Sequence, residues 1–144
     1  MIDGVKILDL ETHIDKRGFF REIFRLKEGF PLEEVGQISH SRVEKGIIKG
    51  WHAHHYQKQW NYVVTGKIEV ALFDNRVESA TFGQMIKFIA GEQNNICYFF
   101  PENVLHAYHA LEGPMNIIYV TSGIYDLNDE IRISFEEIDK KPFK

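Results

Sequence analysis

From Trp60 to Val120 the chain alternates short runs of β-branched and aromatic residues with turn formers, and this restricts it to sheet architectures. The stretch Lys67–Phe73 puts Ile68, Val70 and Leu72 on one side of an extended backbone and Lys67 and Glu69 on the other. Trp60–Val64 precedes it, and Thr65-Gly66 between them predicts a tight hairpin turn. Further strands are predicted at Met85–Ile89, Ile96–Phe100, His106–Leu111 and Asn116–Val120. Turn punctuation falls at Asp74-Asn75, Gly91, Pro101 and Gly113-Pro114. No segment carries the period of an amphipathic helix; only Pro31–Val35 and the stretch after Tyr125 suit short helical turns. Many short strands at regular spacing predict a sandwich or a barrel. Internal repeats, low-complexity tracts and linkers are absent.

The 144 residues suffice for one domain with a real core and are too few for two. Seventeen Lys and Arg against twenty-one Asp and Glu make the chain mildly acidic. That balance excludes general nucleic-acid binding, which needs a clustered basic surface. A few cations placed for a phosphorylated small molecule remain compatible with it. The single cysteine, Cys97, rules out an internal disulfide and a cysteine-rich zinc site, and its apolar neighbours predict a buried thiol. The N-terminus lacks the pattern of a signal peptide, and no apolar run reaches membrane-spanning length. A soluble cytoplasmic protein is expected.

The chemistry concentrates in Gly50-Trp51-His52-Ala53-His54-His55 and, later, Pro101-Glu102-Asn103-Val104-Leu105-His106. On a strand His52 and His54 share a face. If that face lines a barrel, two imidazoles enter one cavity, and His106 from another strand can join them. Imidazole moves protons near neutral pH and also binds metals, so both uses are open at this point. Two histidines on one strand face favour a functional pair over a purely structural one. His106 is evenly balanced between the site and an internal hydrogen bond. His55 and His109 read as exposed or packing residues, and His13 and His40 carry little signal.

The spacing Gly46, His52, His54, Gln59, Gly66, together with Pro101, Asn103 and His106, resembles the two signature motifs of the cupin superfamily. The resemblance implies an all-β double-stranded β-helix, a cupin jelly-roll barrel, spanning residues 1–144 as one domain. Gln59 stands where metal-binding cupins usually carry Glu, and a neutral amide is the poorer ligand for a divalent cation. The flanks Asp15–Glu22, Gln37–Ser41, Gly46–His52, Asp74–Arg76, Ser79–Gly83 and the Tyr119/Tyr125 pair resemble the dTDP-4-dehydrorhamnose 3,5-epimerase family. The Gly-x-His-Ala-His core and the Tyr125–Arg132 string are similar to the related sugar-nucleotide 3,4-ketoisomerases.

Both resemblances imply an enzyme of deoxysugar and polysaccharide biosynthesis that uses neither metal nor organic cofactor. Its substrate would be a dTDP-linked, or other nucleotide-linked, 4-keto-6-deoxyhexose. By position, the epimerase resemblance implies His52 as base and Tyr125 as acid. The ketoisomerase resemblance implies His52 and His54 as a pair. Lys49 replaces the usual Arg before the Gly-x-His motif and keeps its charge for an oxyanion. Arg17 and Glu22, with Phe20 nearby, are implied at the nucleotide, and Gln37 and Ser39 at the diphosphate. Gln59 is expected to hydrogen-bond a histidine or a sugar hydroxyl, with His106 beside it. The epimerases' catalytic lysine maps best onto Gln59, and their aspartate partner of the catalytic histidine lies in a tail this chain lacks. An N-terminal segment reaching into a partner subunit, hence a homodimer, is also implied. Two other classes stay open: a metal-dependent, dioxygenase-like cupin using His52, His54 and His106, and a non-catalytic sugar-nucleotide-binding cupin.

Overall fold

The computed structural model describes residues 1–26 and 35–144. The helical turn expected at Pro31–Val35 falls almost wholly outside the described residues. Ten strands are present among them: β1 (Lys6–Asp9), β2 (Thr12–Asp15), β3 (Gly18–Arg21), β4 (Gln37–Val43), β5 (Ile48–His54), β6 (Gln59–Asp74), β7 (Met85–Gly91), β8 (Ile96–Phe100), β9 (Val104–Thr121) and β10 (Glu130–Arg132). The only helical elements among the described residues are 3-10 turns at Leu127–Asp129 and Phe135–Glu137, both in the segment expected to hold such turns.

β6 and β9 are the frame. They pair antiparallel along nearly their whole lengths, Gln59 opposite Thr121 at one end and Asp74 opposite Val104 at the other. Each is shared between two faces of the barrel. One face adds β8 and β1 beyond β6, and β4 beyond β9; the other adds β7 beyond β6, and β5 and β10 beyond β9. The architecture is the expected all-β jelly roll. β2 and β3 form a separate two-stranded hairpin outside it.

The predicted hairpin turn at Thr65-Gly66 is overturned. Residues 59–74 form one strand of 16 residues, and the strands expected on either side of Gly113-Pro114 likewise merge into one of 18. The register shifts between Val63 and Ile68 mark an irregular bend rather than a reversal. Gly66 has φ +80, and a Cβ there would lie 2.7 Å from the Glu112 carbonyl oxygen and 2.9 Å from Met115 Cα. Glycine is needed because two backbones touch as the sheet curves, which gives the same local composition as a turn.

Burial follows the alternation along β5. Trp51 and Ala53 point to the outer face and His52 and His54 to the inner one. The inner core holds Val43, Ile68, Val70, Leu72, Tyr98, Phe100, Met115 and Ile117, and the N-terminal Ile2 and Val5. Outside, Trp51, Phe73, Leu105 and Ala107 are covered by the C-terminal segment through Ile133, Phe135, Ile138 and Phe143. Cys97 is buried with Trp60, Phe99 and Val120 in a third cluster, as expected of an inert thiol.

Candidate active site

β5, β6, β9 and the segment after β9 enclose a cavity of about 270 Å³ at the inner face of the barrel. Its lining includes Lys49, His52, His54, Gln37, Gln59, His106 and Tyr125, so seven of the residues singled out in the sequence converge on one space.

Strand pairing sets the histidine geometry. His52 lies opposite His106 across the β5–β9 ladder. Their ring centroids are 6.2 Å apart and nearly perpendicular, whereas His54 and His106 stack at 5.9 Å. The ladder breaks register between Lys49 and His52. At that break Gly50 has φ +139, and any Cβ there would collide with Ala107. The glycine lets β5 press against β9, bringing His52 and His106 into one wall.

All three imidazoles are held below the ordinary histidine range, chiefly by burial. For His52 desolvation is opposed by the Glu130 carboxylate, and Arg132, His54 and Lys49 add to the lowering. For His54 desolvation is opposed by Asp129 and Glu130. His106, stacked on Phe100 at 4.3 Å, is driven down to about 3, first by burial and then by His54 and His52. At neutral pH all three are therefore neutral, the form in which an imidazole accepts a proton.

The rest of the lining is polar and aromatic. Gln59 Nε2 donates to Asn61 Oδ1 at 2.7 Å, so among the described residues its amide serves a neighbouring amide rather than a histidine. Tyr98, Tyr108 and Tyr119 contribute phenols from facing strands. Burial pushes Tyr108 up to about 12, and Tyr98 higher still, which keeps both protonated. Tyr125 is 69% exposed at the mouth, where its backbone N–H donates to Gln37 Oε1 at 2.8 Å. Gln37 in turn donates to Ser39 Oγ at 2.8 Å. Ser39 is thus one hydrogen bond removed from the lining. Lys49 is exposed at the rim.

Arg17, Phe20 and Glu22 lie apart. Arg17 and Phe20 belong to the β2–β3 hairpin, away from the cavity lining, and Arg17 is paired with Asp15 across the turn at 2.5 Å. Phe20 is 63% exposed, and Glu22 just after β3 is paired with Arg25 at 2.7 Å.

Sequence reasoning missed the two carboxylates beside the histidines. β10 pairs with β5, placing Glu130 opposite His54 and Arg132 opposite His52. Glu130 enters the cavity lining and binds Arg132 at 3.1 Å, an interaction that lowers its pKa. Asp129, just before it, is buried, accepts from the backbone amides of Tyr56 at 2.9 Å and Gln57 at 3.3 Å, and lies 3.8 Å from His54 Nδ1. No sequence period links residue 129 to residue 54; only the β5–β10 register does. Asn61 was legible in principle, since it shares a strand face with Gln59.

The metal-dependent alternative gains no support from this geometry. Among the described residues no three His, Cys, Asp or Glu side chains are arranged to hold an ion. His106 packs its ring against Phe100.

A jelly roll whose inner face carries neutral imidazoles in a polar, phenol-lined cavity has the parts of a proton-transfer enzyme. The sequence matches the dTDP-4-dehydrorhamnose 3,5-epimerase family across residues 1–141, and the chain belongs to that family. It is 41% identical over 140 residues to the spore coat polysaccharide biosynthesis protein SpsL of Bacillus subtilis (strain 168), covering 95% of this chain and 92% of that protein. A probable low-salt glycan biosynthesis epimerase of Haloferax volcanii is 30% identical, with 94% and 89% covered. Among solved structures, the dTDP-6-deoxy-D-glucose-3,5-epimerase of Legionella pneumophila in complex with dTDP-4-keto-L-rhamnose superposes with a TM-score of 0.86 at 28% identity, covering 93% of this chain and 74% of that one. Among the described residues no helix is long and apolar enough to cross a membrane.

Proposed function

We propose that this chain epimerises or isomerises a nucleotide-linked 4-keto-6-deoxyhexose, with dTDP as the nucleotide. The observation that carries this is the convergence of neutral His52 and His54 with Lys49 and Tyr125 on one cavity. A ketone acidifies the neighbouring C–H, so a neutral imidazole can remove that proton if the developing oxyanion is stabilised. His52 takes the C3 proton, the electron pair moves into the C3–C4 bond and onto the C4 oxygen, and Lys49 offsets the charge there. Return of a proton to C3 from the opposite face, with Tyr125 as donor, gives the epimer; the same steps at C5 complete a 3,5-epimerisation. Transfer of the C3 hydroxyl proton to the C4 oxygen, with delivery of the abstracted proton to C4, instead gives the 3-keto isomer. His54, on the same face as His52, suits that second outcome.

At about 270 Å³ the cavity falls just below the ~300–1,000 Å³ usual for small-molecule sites. It suits the reacting sugar, with the nucleotide lying beyond the mouth. In the proposed homodimer the N-terminal segment of each subunit reaches its partner, so that Arg17, Phe20 and Glu22 meet the nucleotide there and Gln37 and Ser39 meet the diphosphate. Support comes from the β2–β3 hairpin, which stands off the barrel with Ile14, Phe19 and Phe20 exposed. A cytoplasmic location accords with the free buried thiol of Cys97.

The test is incubation with dTDP-4-keto-6-deoxyglucose in deuterium oxide, followed by NMR. Deuterium is expected at C3 or C5 if the product is the epimer and at C4 if it is the 3-keto isomer. Tight binding of the sugar with no deuterium at C3, C4 or C5 and no turnover would instead establish a non-catalytic binding protein.

A further inference from the structure

The imidazole of His54 presents an anomaly. Its Nδ1 is buried and has no hydrogen-bond partner among the described residues. A buried polar nitrogen without a partner is costly and calls for an explanation. The acid beside it is Asp129, whose Oδ2 lies 3.8 Å away. That carboxylate does not wander: the amides of Tyr56 and Gln57 hold it, and the backbone carbonyl of Asp129 accepts from His55 N–H at 3.0 Å. Two amide hydrogen bonds leave a carboxylate with acceptor capacity to spare. Catalytic hydrogen bonds in ligand-free proteins are often long and tighten when substrate fills the site.

We infer that Asp129 is a positioning residue for His54, holding the proton on Nδ1 and turning the Nε2 lone pair into the cavity. A histidine so oriented is a proton acceptor aimed at the substrate, whereas the opposite tautomer would present an N–H there. The orienting carboxylate then serves the second imidazole of the pair from the 3-10 turn just before β10, the strand that adjoins β5. For catalysis the inference rests on the proposed sugar chemistry; for the tautomer it does not.

The experiment separates the two. In the substrate-free wild-type protein, imidazole nitrogen chemical shifts, with His54 assigned through His54→Gln, report which nitrogen carries the proton. The proton is expected on Nδ1, and in Asp129→Asn the population should move toward Nε2. A wild-type His54 protonated on Nε2, or a tautomer unchanged by Asp129→Asn, would overturn the inference. A merely structural role for Asp129 would change stability without moving the tautomer. Should Asp129→Asn fail to fold, the wild-type measurement still decides. With keto-sugar, kcat in Asp129→Asn should fall at least ~10-fold with little change in KM; the ~10⁴-fold lost on neutralising the orienting aspartate of a serine protease is the ceiling. Asp129→Glu should restore part of it. If the wild-type enzyme exchanges no sugar proton, the proposed function fails while the tautomer result stands.

Discussion

His52 and His106 face each other across the β5–β9 ladder, their rings 6.2 Å apart and nearly perpendicular. Both line the cavity, and His106 is packed on Phe100. In the proposed reaction the two take different parts, His52 exchanging protons and His106 staying neutral against Phe100.

Removal of His52 should abolish chemistry before it affects binding. His52→Ala is expected to slow deuterium incorporation by about 10²–10⁴-fold, the range for loss of a general base. The dissociation constant for dTDP should change little, because the proposed binding mode puts the nucleotide outside the cavity. Single-turnover exchange and calorimetric titration with dTDP measure the two quantities.

Neutralising Lys49 should act on the oxyanion. Lys49→Gln is expected to cost about 10²-fold in kcat, comparable to loss of one oxyanion donor elsewhere. Steady-state kinetics on the keto-sugar would show it, and an unchanged kcat would assign Lys49 to the rim alone.

Acid should destabilise the fold through the histidines. Their folded pKa values are depressed, so above the ordinary value of 6.5 both folded and unfolded states are neutral and nothing is lost. Below it the unfolded chain takes up protons that the folded protein refuses, and stability falls by up to about 1.4 kcal/mol per pH unit for each imidazole. For His106 that window runs from 6.5 to about 3. Urea midpoints measured between about pH 7 and about pH 5 should decline, and His106→Asn should flatten the slope.

Two substitutions probe the frame. Trp51 is fully buried behind the histidines, against Phe73 at 6.2 Å and Phe135 at 5.8 Å, so Trp51→Ala should cost about 3–5 kcal/mol in thermal or urea unfolding. Asp74 is buried too; burial alone would raise its pKa, but hydrogen bonds from Arg76, Ser79 and Thr81 outweigh it and hold the carboxyl well below the usual range. Asp74→Ala leaves the part-buried Arg76 with only the Asp3 carbonyl and the Ser79 hydroxyl, and should cost about 1–3 kcal/mol. Neither residue lines the cavity, so surviving folded protein should keep its KM.

The sequence was informative wherever a signal is local. The face shared by His52 and His54, the strand at Ile96–Phe100 and the inert Cys97 follow from alternation and neighbouring residue types. Gly66 misled, because the composition that closes a hairpin also lets a long strand bend against its neighbour. Asp129 and Glu130 went unassigned because their nearness to His54 arises from pairing across more than seventy residues. Arg17, Phe20 and Glu22 are placed by a hairpin that stands off the barrel, and a single chain gives them no common destination.

The continuity of β6 and β9 limits how such an enzyme can change. Because each strand belongs to both walls, neither wall can swing open without tearing the other, so in the proposed enzyme reactants pass in and out past the exposed Tyr125. A taste for a different sugar would then be acquired by altering that doorway, while the beams behind it stay as they are.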